Sequence, residues 1–284
     1  MAISGKHILI TGGAGFVGSH LAEALSRGNK VVSLDNYSTG KESNHVAGVR
    51  YIRGDTREVD ALVTFSPDVV FHLGEYARVE KSFDDVKTVW DANKNGTFAV
   101  LEFCRKHGVK LIYAGSSTKF GDGGLGRDQS PYAWTKASNT ELVRNYGSWF
   151  GLKYAITYFY NVYGPREIMT GPYATIIGIF LDQYRNKKPL TVVSPGTQKR
   201  NFTHVDDIVR GLCAVGEGGD GDEYGLGAEK SYSILEIARL FGSEVVMLPE
   251  RKGNRMGSSI DLSKSRQLGW RAERDVAEYI RELL

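Results

Sequence analysis

Short apolar segments and amphipathic segments alternate along the first half of the chain. The apolar segments are short enough for buried strands, and they lie at residues 7–10, 31–35, 49–55, 69–74 and 109–114. Apolar residues at helical spacing predict helices at residues 19–25, 57–65, 86–107 and 132–150. Strands that alternate with helices are typical of a parallel sheet with both faces covered, so the pattern predicts a doubly wound α/β fold.

A glycine-rich turn joins the first predicted strand to the first predicted helix, with glycines at positions 12, 15 and 18. In a dinucleotide-binding turn, one glycine allows the tight turn, one lets the backbone approach a pyrophosphate, and one lets the helix pack closely against the strand. A glycine triplet alone is weak evidence in a chain with 34 glycines. The strand before it and the helix after it supply the required context, and the alternative is a plain strand–turn–helix.

The second predicted strand ends in Asp35, about 20 residues after the glycine turn. An acid at this position accepts hydrogen bonds from the adenosine ribose hydroxyls and repels a 2′-phosphate. No arginine follows directly, which favours NAD over NADP, although Lys41 is a nearby cation. The alternative for Asp35 is an ordinary turn residue at the end of a strand.

Other residues fall where the predicted strands end. Asp55 follows the third strand, and Leu73 and Gly74 end the fourth. Ligands of doubly wound sheets lie beyond the carboxyl ends of the strands, so these residues are candidate cofactor contacts. Asn93 stands in the middle of a predicted helix, where asparagine is unfavourable, which indicates a role for its side chain.

Three hydroxyl residues follow the fifth predicted strand, and a helix with Tyr132 and Lys136 comes next. The two side chains are four residues apart and share one helix face. An ammonium group beside a phenol lowers the pKa of the phenol. The phenolate then takes a proton from a substrate hydroxyl as a hydride leaves the carbon, while a serine of the fifth strand hydrogen-bonds the same oxygen.

Composition excludes several other classes of protein. The net charge of +3 is too small to favour nucleic acid binding, although it suits an anionic substrate. Two cysteines imply no disulfide framework. We see no signal-like start and no apolar run long enough to span a membrane, so we expect a cytoplasmic protein. The histidines form no metal-ligand pattern, and we predict no metal site.

With these motifs in place, the chain resembles the extended short-chain dehydrogenase/reductase family, which contains nucleotide-sugar epimerases and dehydratases. The matching stretches follow the family's order and comprise residues 11–18, 35–40, 54–55, 72–74, 93–97, 116–121, 132–136, 161–166 and 200–207. The resemblance implies that Tyr132 is the catalytic base and that Lys136 binds the nicotinamide ribose and tunes Tyr132. Ser116, four residues before Phe120, is preferred over Ser117 as the serine that hydrogen-bonds the sugar hydroxyl.

The resemblance also implies contacts with the cofactor and the substrate. Asn161 is expected to contact the substrate, and Arg200 and Arg251 to clamp its diphosphate, the alternative for either arginine being a solvated surface charge. The full set of residues expected to contact NAD is Gly12, Gly15, Phe16, Val17, Asp35, Asn36, Ser38, Thr39, Gly40, Asp55, Thr56, Leu73, Gly74, Glu75, Asn93, Tyr132, Lys136 and Tyr160.

Departures from the family pattern narrow the expected reaction. Dehydratases of the family carry an Asp-Glu pair where this chain has Ser117 and Thr118, and decarboxylases keep a glutamate at the second of these positions. The remaining chemistry is oxidation at a ring carbon, which predicts a nucleotide-sugar 4-epimerase. A C4 dehydrogenase or ketoreductase that releases the keto sugar uses the same residues, and a non-catalytic NAD-binding regulator is the third hypothesis. Glu75 and Phe120 also depart from the pattern around the sugar pocket.

The domain organisation follows from the same resemblance. We expect an NAD-binding Rossmann domain at residues 1–164, to which residues 201–221 return. Residues 165–200 and 222–284 are expected to form a smaller α/β lobe that binds the nucleotide sugar, with the active site in the cleft between the two. The apolar faces of the helices at 86–107 and 132–150 suggest a homodimer surface, although core packing explains the same pattern.

Overall fold

The computed structural model describes residues 3–250, 256–257 and 259–284. Its strands are β1 (His7–Thr11), β2 (Lys30–Asp35), β3 (Arg50–Arg53), β4 (Val69–His72), β5 (Lys110–Ser116), β6 (Tyr154–Phe159), β7 (Val162–Tyr163), β8 (Leu190–Val193), β9 (Lys199–Asn201), β10 (Thr203–His204), β11 (Gly221–Leu226), β12 (Ser231–Ser233) and β13 (Val245–Leu248). Its α-helices are α1 (Phe16–Ser26), α2 (Val59–Leu62), α3 (Val86–Val89), α4 (Gly96–His107), α5 (Pro131–Phe150), α6 (Ile176–Arg185), α7 (Val205–Gly218), α8 (Ile234–Leu240), α9 (Ser263–Gln267) and α10 (Val276–Leu283).

Within the described residues, the main sheet has seven parallel strands in the order β11-β6-β5-β4-β1-β2-β3. Strand β1 shows why its sequence is continuously apolar. Leu9 packs into the core on one face, while Ile8 and Ile10 pack into the core on the other. Both faces of a parallel sheet are buried, so alternate side chains of one strand enter different cores. The predicted doubly wound α/β fold is confirmed.

The two cores are made by different helices. Residues of α4 and α5, among them Val100, Leu101 and Val143, fill one face of the sheet. Residues of α1 and α7, among them Leu21 and Leu212, fill the other. The chain must leave and return to the sheet to supply α7, because this helix follows the first small-lobe segment in sequence.

The return to the main sheet is longer than the expected 201–221. Strand β11 pairs with β6 in the seven-stranded sheet, which moves the boundary past the expected residue 222. Leu262 and Trp270 also pack into the core beneath α7. The physical reason is exposure: without β11, the edge of β6 and this apolar surface would face water.

The smaller lobe has its own apolar core, formed by α6, α8 and α10 around the parallel pair β8 and β13. Phe180, Ile237 and Ile280 are fully buried there. In the described part of the chain, no helix combines the length and apolar character that crossing a bilayer requires.

Two predicted helices differ from the structure. The helix expected at 57–65 is a 3₁₀ turn, Thr56–Glu58, followed by the single turn α2. The helix expected at 86–107 is interrupted by a π-helical segment, Trp90–Asn95, between α3 and α4. Such π segments are frequent at functional sites, and this one carries Asn93.

Candidate active site

The turn after β1 has the geometry of a phosphate-binding loop. Gly12 has φ +75°, and a Cβ atom there would lie 2.9 Å from the backbone of Gly74. A Cβ at Gly18 would lie 2.1 Å from the carbonyl oxygen of Gly12, so α1 packs directly on the turn. A Cβ at Gly15 would meet only the Gly12 oxygen at 3.2 Å, which leaves that face of the turn open. Helix α1 begins at Phe16, and Val17 is its second residue.

Asp35, at the end of β2, lies beside this turn. One oxygen of its carboxylate accepts a hydrogen bond from the backbone amide of Ala14 at 2.9 Å, and the other accepts one from Tyr37 at 2.7 Å. Each carboxylate oxygen retains a further lone pair for a ligand hydroxyl. The chain following Asp35 passes close by: a Cβ at Gly40 would lie 2.9 Å from the carboxylate. The expected contacts Asn36, Ser38 and Thr39 are exposed on this loop.

The ends of β3 and β4 extend the same edge. The Asp55 carboxylate accepts hydrogen bonds from Arg57 and from the amide of Asn36, and these outweigh burial and lower its pKa. Thr56 is buried beside it. At the end of β4, the backbone amides of Leu73 and Gly74 donate to the Thr11 hydroxyl. Gly74 thus borders the glycine turn, whereas Asp55 is bonded to Asn36 on the loop after β2.

Asn93 is fully buried and braces the loop after β4 against α5. Its side-chain oxygen accepts from the Tyr76 amide at 2.7 Å, and its side-chain nitrogen donates to the Thr135 hydroxyl at 3.0 Å. The structure therefore uses the Asn93 side chain for internal hydrogen bonds. The sequence signal, an asparagine in mid-helix, was informative about the side chain but not about its partners.

The residues expected to transfer the proton come from two elements, α5 and the end of β5. Helix α5 begins at Pro131, capped by the Ser130 hydroxyl, which accepts from the Ala133 amide. Tyr132 lies partly exposed in its first turn, and Lys136 is buried one turn later. The Lys136 ammonium donates to the carbonyl oxygen of Ala114, two residues before Ser116. This bond ties the helix face that carries Tyr132 to the strand end that carries Ser116.

Ser116, the residue expected to hydrogen-bond the sugar hydroxyl, lies at the carboxyl end of β5. It is the last residue of β5, which extends past the expected end at residue 114, and it pairs with Phe159 of β6. Its side-chain oxygen accepts from the Thr118 hydroxyl at 2.9 Å. Ser117 is buried.

Glu75 meets Lys136 directly, in a buried ion pair. The carboxylate side chain is 3% exposed and the lysine side chain 6%. The other oxygen of Glu75 accepts from Thr97 at 2.7 Å, Tyr113 at 3.0 Å and Asn139 at 3.0 Å. Burial opposes ionisation, but the Lys136 ammonium and these hydrogen bonds hold the pKa of Glu75 below its usual value. The sequence placed Glu75 near the cofactor but did not reveal this pairing.

His72 belongs to the same polar cluster. One ring nitrogen lies 2.7 Å from the Thr11 hydroxyl and the other 3.0 Å from the Thr97 hydroxyl. Burial lowers its pKa to about 4, so the ring is neutral at pH 7. A chain of hydrogen bonds therefore runs from the glycine turn through His72 and Thr97 to Glu75.

Two of the expected substrate residues, Asn161 and Arg200, lie in or beside the short strands after β6. Asn161 has φ +33°, and its side-chain nitrogen donates to the Asn201 carbonyl at 3.3 Å. Arg200 lies in β9, and its guanidinium donates to the Lys199 carbonyl at 2.8 Å. Arg251 lies outside the described residues. Tyr160 is buried and donates to the Ser259 carbonyl, so any contact with a cofactor falls to its backbone.

Sequence reasoning missed Arg78, on the loop after β4. Its Nε donates to the Tyr173 carbonyl at 2.7 Å, and Nη1 donates to the Ala77 carbonyl at 3.0 Å. Burial lowers its pKa, while the neighbouring Tyr132, Tyr76 and Glu167 partly offset that effect. The charge of the Arg78 guanidinium therefore interacts with that of Tyr132. A lone arginine in a loop carries no sequence signal of this placement.

The described residues fit NAD. The turn is closed at Gly12 and Gly18 and open at Gly15, as a pyrophosphate requires. The Asp35 carboxylate is available to ribose hydroxyls at the end of the neighbouring strand. Tyr132 and Lys136 lie across the same sheet edge. The site thus defines a dinucleotide-dependent enzyme with a tyrosine–lysine pair.

Comparisons with known proteins agree with this geometry. The model of the NAD dependent epimerase/dehydratase family matches residues 8–227. A Methanocaldococcus jannaschii protein, named provisionally as a UDP-glucose 4-epimerase, is 31% identical and covers 98% of this chain and 97% of its own. A UDP-N-acetyl-alpha-D-glucosaminuronate decarboxylase of Bacillus cytotoxicus is 33% identical over 82% of this chain and 78% of its own.

Among solved structures, the UDP-glucose 4-epimerase of Thermus thermophilus in complex with NAD is 30% identical, with a TM-score of 0.88. The match covers 97% of this chain and 96% of that one. The chain belongs to the NAD dependent epimerase/dehydratase family. The relatives named above are NAD-dependent enzymes that act on nucleotide sugars. NAD, the predicted cofactor, is confirmed. The relatives include an epimerase and a decarboxylase, so family membership alone leaves the reaction open.

Proposed function

We propose that this protein is an NAD-dependent nucleotide-sugar 4-epimerase that acts through a transient 4-keto sugar. The observation that carries the proposal is the hydrogen bond from Lys136 to Ala114, which joins the helix of Tyr132 and Lys136 to the strand that ends in Ser116, with Ser117 and Thr118 in place of acidic residues. Hydroxyl side chains cannot serve as the acid–base pair that a dehydratase needs. The reaction that these residues can still perform is removal of the proton from one sugar hydroxyl.

The chain's own residues perform the proton transfer. Tyr132 takes the proton from the 4-hydroxyl, and Ser116 hydrogen-bonds the same sugar oxygen. Lys136 donates to the nicotinamide ribose and holds the phenolate by its charge. NAD, held by the glycine turn and Asp35, would supply the acceptor and later the donor of the C4 hydride. After the keto sugar turns over, Tyr132 gives the proton back on the new face.

Other residues bind the two ligands in this proposal. The glycine turn holds the pyrophosphate of NAD, and Asp35 holds the adenosine ribose. Asn161 contacts the sugar, and Arg200 and Arg251 clamp the diphosphate of the nucleotide sugar with charge-assisted hydrogen bonds. These roles remain proposals.

Product analysis tests the function. The purified protein is incubated with UDP-, GDP-, CDP- and dTDP-sugars, and both sugar stereochemistry and NADH absorbance are followed. An inverted C4 centre without net NADH is expected. Net NADH or a released keto sugar would replace the epimerase with the C4 dehydrogenase or ketoreductase.

A pair of tyrosine variants on the same helix tests the base. Tyr132→Phe is expected to lower turnover by about 10²–10⁴-fold, because the proton acceptor is lost. Tyr146→Phe removes the same atom from a residue whose hydroxyl donates to Glu102, away from the site, and is expected to keep its activity. Full activity of Tyr132→Phe would contradict the mechanism, whereas absence of turnover with every sugar would favour the non-catalytic regulator.

We also propose a homodimer formed by the faces of α3–α5. Trp90 and Trp134 are exposed and stack with ring centroids 5.7 Å apart, beside a groove of about 310 Å³. Phe98 and Trp149 are exposed on the same helices. Exposed aromatic surface of this kind marks interfaces. Sedimentation of the protein as a dimer, and of Trp134→Arg as a monomer, is expected.

The cytoplasmic location remains a prediction, and both cysteines are free.

A further inference from the structure

Glu75 is an acidic residue in the wall of the proton-transfer site. It follows Gly74 directly after β4, and its side chain is almost completely buried. One carboxylate oxygen accepts three hydrogen bonds, from α4 (Thr97), β5 (Tyr113) and α5 (Asn139). These neutral donors fix the carboxylate in one position. Its second oxygen is aimed at Lys136.

The Lys136 ammonium has three N–H donors. Two of them are engaged, with Glu75 and with the carbonyl oxygen of Ala114. The nitrogen also lies 4.6 Å from the centroid of the Tyr113 ring. Because the three donors are tetrahedrally arranged, fixing two of them orients the third. The ammonium is therefore held at the end of β5 before any ligand is considered.

We propose that Glu75 is a positioning residue of the proton-transfer site, which anchors Lys136 and supplies a counter-charge that limits how strongly the lysine acidifies Tyr132. The inference rests on the proposed function, in which Tyr132 is the proton acceptor. Removing the carboxylate leaves the lysine charge uncompensated. The phenolate form of Tyr132 then becomes more favourable.

The charges around this pair support that direction. Glu75 is faced by His72 from β4, by Tyr113 from β5, by Lys94 from the π-helical segment and by Lys136 from α5. Burial keeps His72 neutral and raises the pKa of Tyr113 well above its usual value, so neither carries charge near pH 7. Lys94 is bound to Asn139 at 2.8 Å. The ammonium in direct contact with the carboxylate is that of Lys136.

Tyr132 precedes Lys136 by one turn of α5, and the charge of Tyr132 interacts with Tyr113 from β5 and with Arg78 from the loop after β4. Positive charges such as those of Arg78 and Lys136 favour an anion nearby, whereas a carboxylate such as that of Glu75 disfavours one. The change Glu75→Gln keeps the size of the side chain and removes the opposing charge. Its amide oxygen still offers the lysine ammonium an acceptor, so the charge is removed while the anchor is kept.

The pH profile of kcat/KM separates this role from a purely structural one. In Glu75→Gln, the acidic limb is expected to move to lower pH by about one unit, a tenfold change in the phenol/phenolate ratio. The matched control is Glu141→Gln on α5, which removes an exposed carboxylate paired with Arg127 and is expected to leave the limb in place. An acidic limb that does not move, or that moves to higher pH, would overturn the proposal, even if kcat falls by the same factor at every pH.

A second readout needs no substrate. The ultraviolet absorbance of tyrosinate is titrated in the NAD-bound protein, with and without Glu75→Gln, and the signal of Tyr132 is isolated by subtracting the corresponding Tyr132→Phe titration. The same downward shift is expected. Because this titration is independent of turnover, it tests the role of Glu75 even if no nucleotide sugar is converted and the proposed function fails.

A shorter carboxylate keeps the proposal testable if Glu75→Gln does not fold. Glu75→Asp retains the charge but withdraws it by about 1.5 Å, one C–C bond. A shift in the same direction but of smaller size is expected in both the pH profile and the tyrosinate titration. An unchanged pKa of Tyr132 in a folded Glu75→Asp protein would overturn the proposal.

Discussion

Among the described residues, Glu75 and Glu167 both have buried side chains, and their surroundings differ sharply. Glu75, at the edge of the main sheet, accepts three hydrogen bonds from neutral groups and forms an ion pair with Lys136. Glu167, beside α6, accepts from the Thr175 hydroxyl, and its Oε1 has no hydrogen-bond partner among the described residues. The two carboxylates are similarly buried, but only that of Glu75 has a positive charge and several hydrogen-bond donors that offset the burial of its charge.

The pKa values move in opposite directions as a result. Lys136 and the hydrogen bonds overcome burial at Glu75 and hold its pKa below the usual value. At Glu167 burial prevails and raises the pKa to about 7. The contrast shows that burial alone does not determine the charge of a carboxylate; the donors delivered by neighbouring elements do. Glu75 is built to stay charged, and Glu167 is close to exchanging its proton at neutral pH.

Removing the lysine should produce the largest change. Lys136→Met leaves Glu75 buried without its counter-charge, which is expected to lower the free energy of unfolding by about 3–5 kcal/mol. The loss should be smaller at low pH, because an unpaired Glu75 then becomes protonated. Urea unfolding at two pH values measures both effects.

The double variant Lys136→Met/Glu75→Gln sharpens this test. Removing both charges is expected to recover most of the lost stability, since no uncompensated charge remains in the core. A double variant as unstable as Lys136→Met would show that the packing of the lysine side chain, rather than its charge, stabilises this edge of the sheet.

Glu167→Gln should act in the opposite direction. A carboxyl whose pKa rises from 4.5 in the unfolded chain to about 7 in the fold loses stability as the pH rises through this interval, because the unfolded chain releases its proton first. The variant is therefore expected to be more stable than the parent by about 1–3 kcal/mol above pH 7 and nearly equal to it below pH 4.5. Thermal unfolding across this range measures the difference, and a constant difference at all pH values would contradict the raised pKa.

Matched threonine variants test the hydrogen-bond partners and should have the smallest effects. Thr97→Val removes a donor to Glu75 and a partner of His72, and is expected to cost about 1–3 kcal/mol. Thr175→Val removes a partner of Glu167 and the side-chain cap of α6. Its cost should grow as the pH rises and Glu167 ionises, whereas that of Thr97→Val should stay constant over the same interval. Equal pH dependence of the two variants would remove the distinction between the sites.

Much of the fold was predictable because its signals are local. The apolar runs of β1, β2, β4 and β5 and the glycine turn before α1 lie in continuous stretches of sequence. The interruption between α3 and α4 was not predicted from the sequence, and the Asn93 side chain within it bonds to the backbone of Tyr76, 17 residues earlier. Likewise, β11 joins the main sheet through pairing with β6, which no local pattern of residues 221–226 reveals.

The candidate site divides in the same way. The spacing of Tyr132 and Lys136 and their place after a hydroxyl-rich strand end indicated a proton-transfer pair. The partners of that pair were not visible, because Glu75 and Arg78 come from a loop more than fifty residues earlier in the chain and carry no motif of their own. Arg251 has a role only by resemblance, since it lies outside the described residues.

The amino-acid sequence was sufficient to predict the doubly wound α/β fold, the NAD-binding turn and the tyrosine–lysine pair, because strand burial, turn geometry and helix spacing act over a few neighbouring residues. The tertiary fold determined which charged and polar groups surround the buried residues. Glu75 is ionised because α4, β5 and α5 each deliver a donor to it, whereas Glu167 has a raised pKa because it is buried with few donors beside it. Electrostatic environment depends on groups from several elements meeting within a few ångströms, and that meeting exists only in the folded chain.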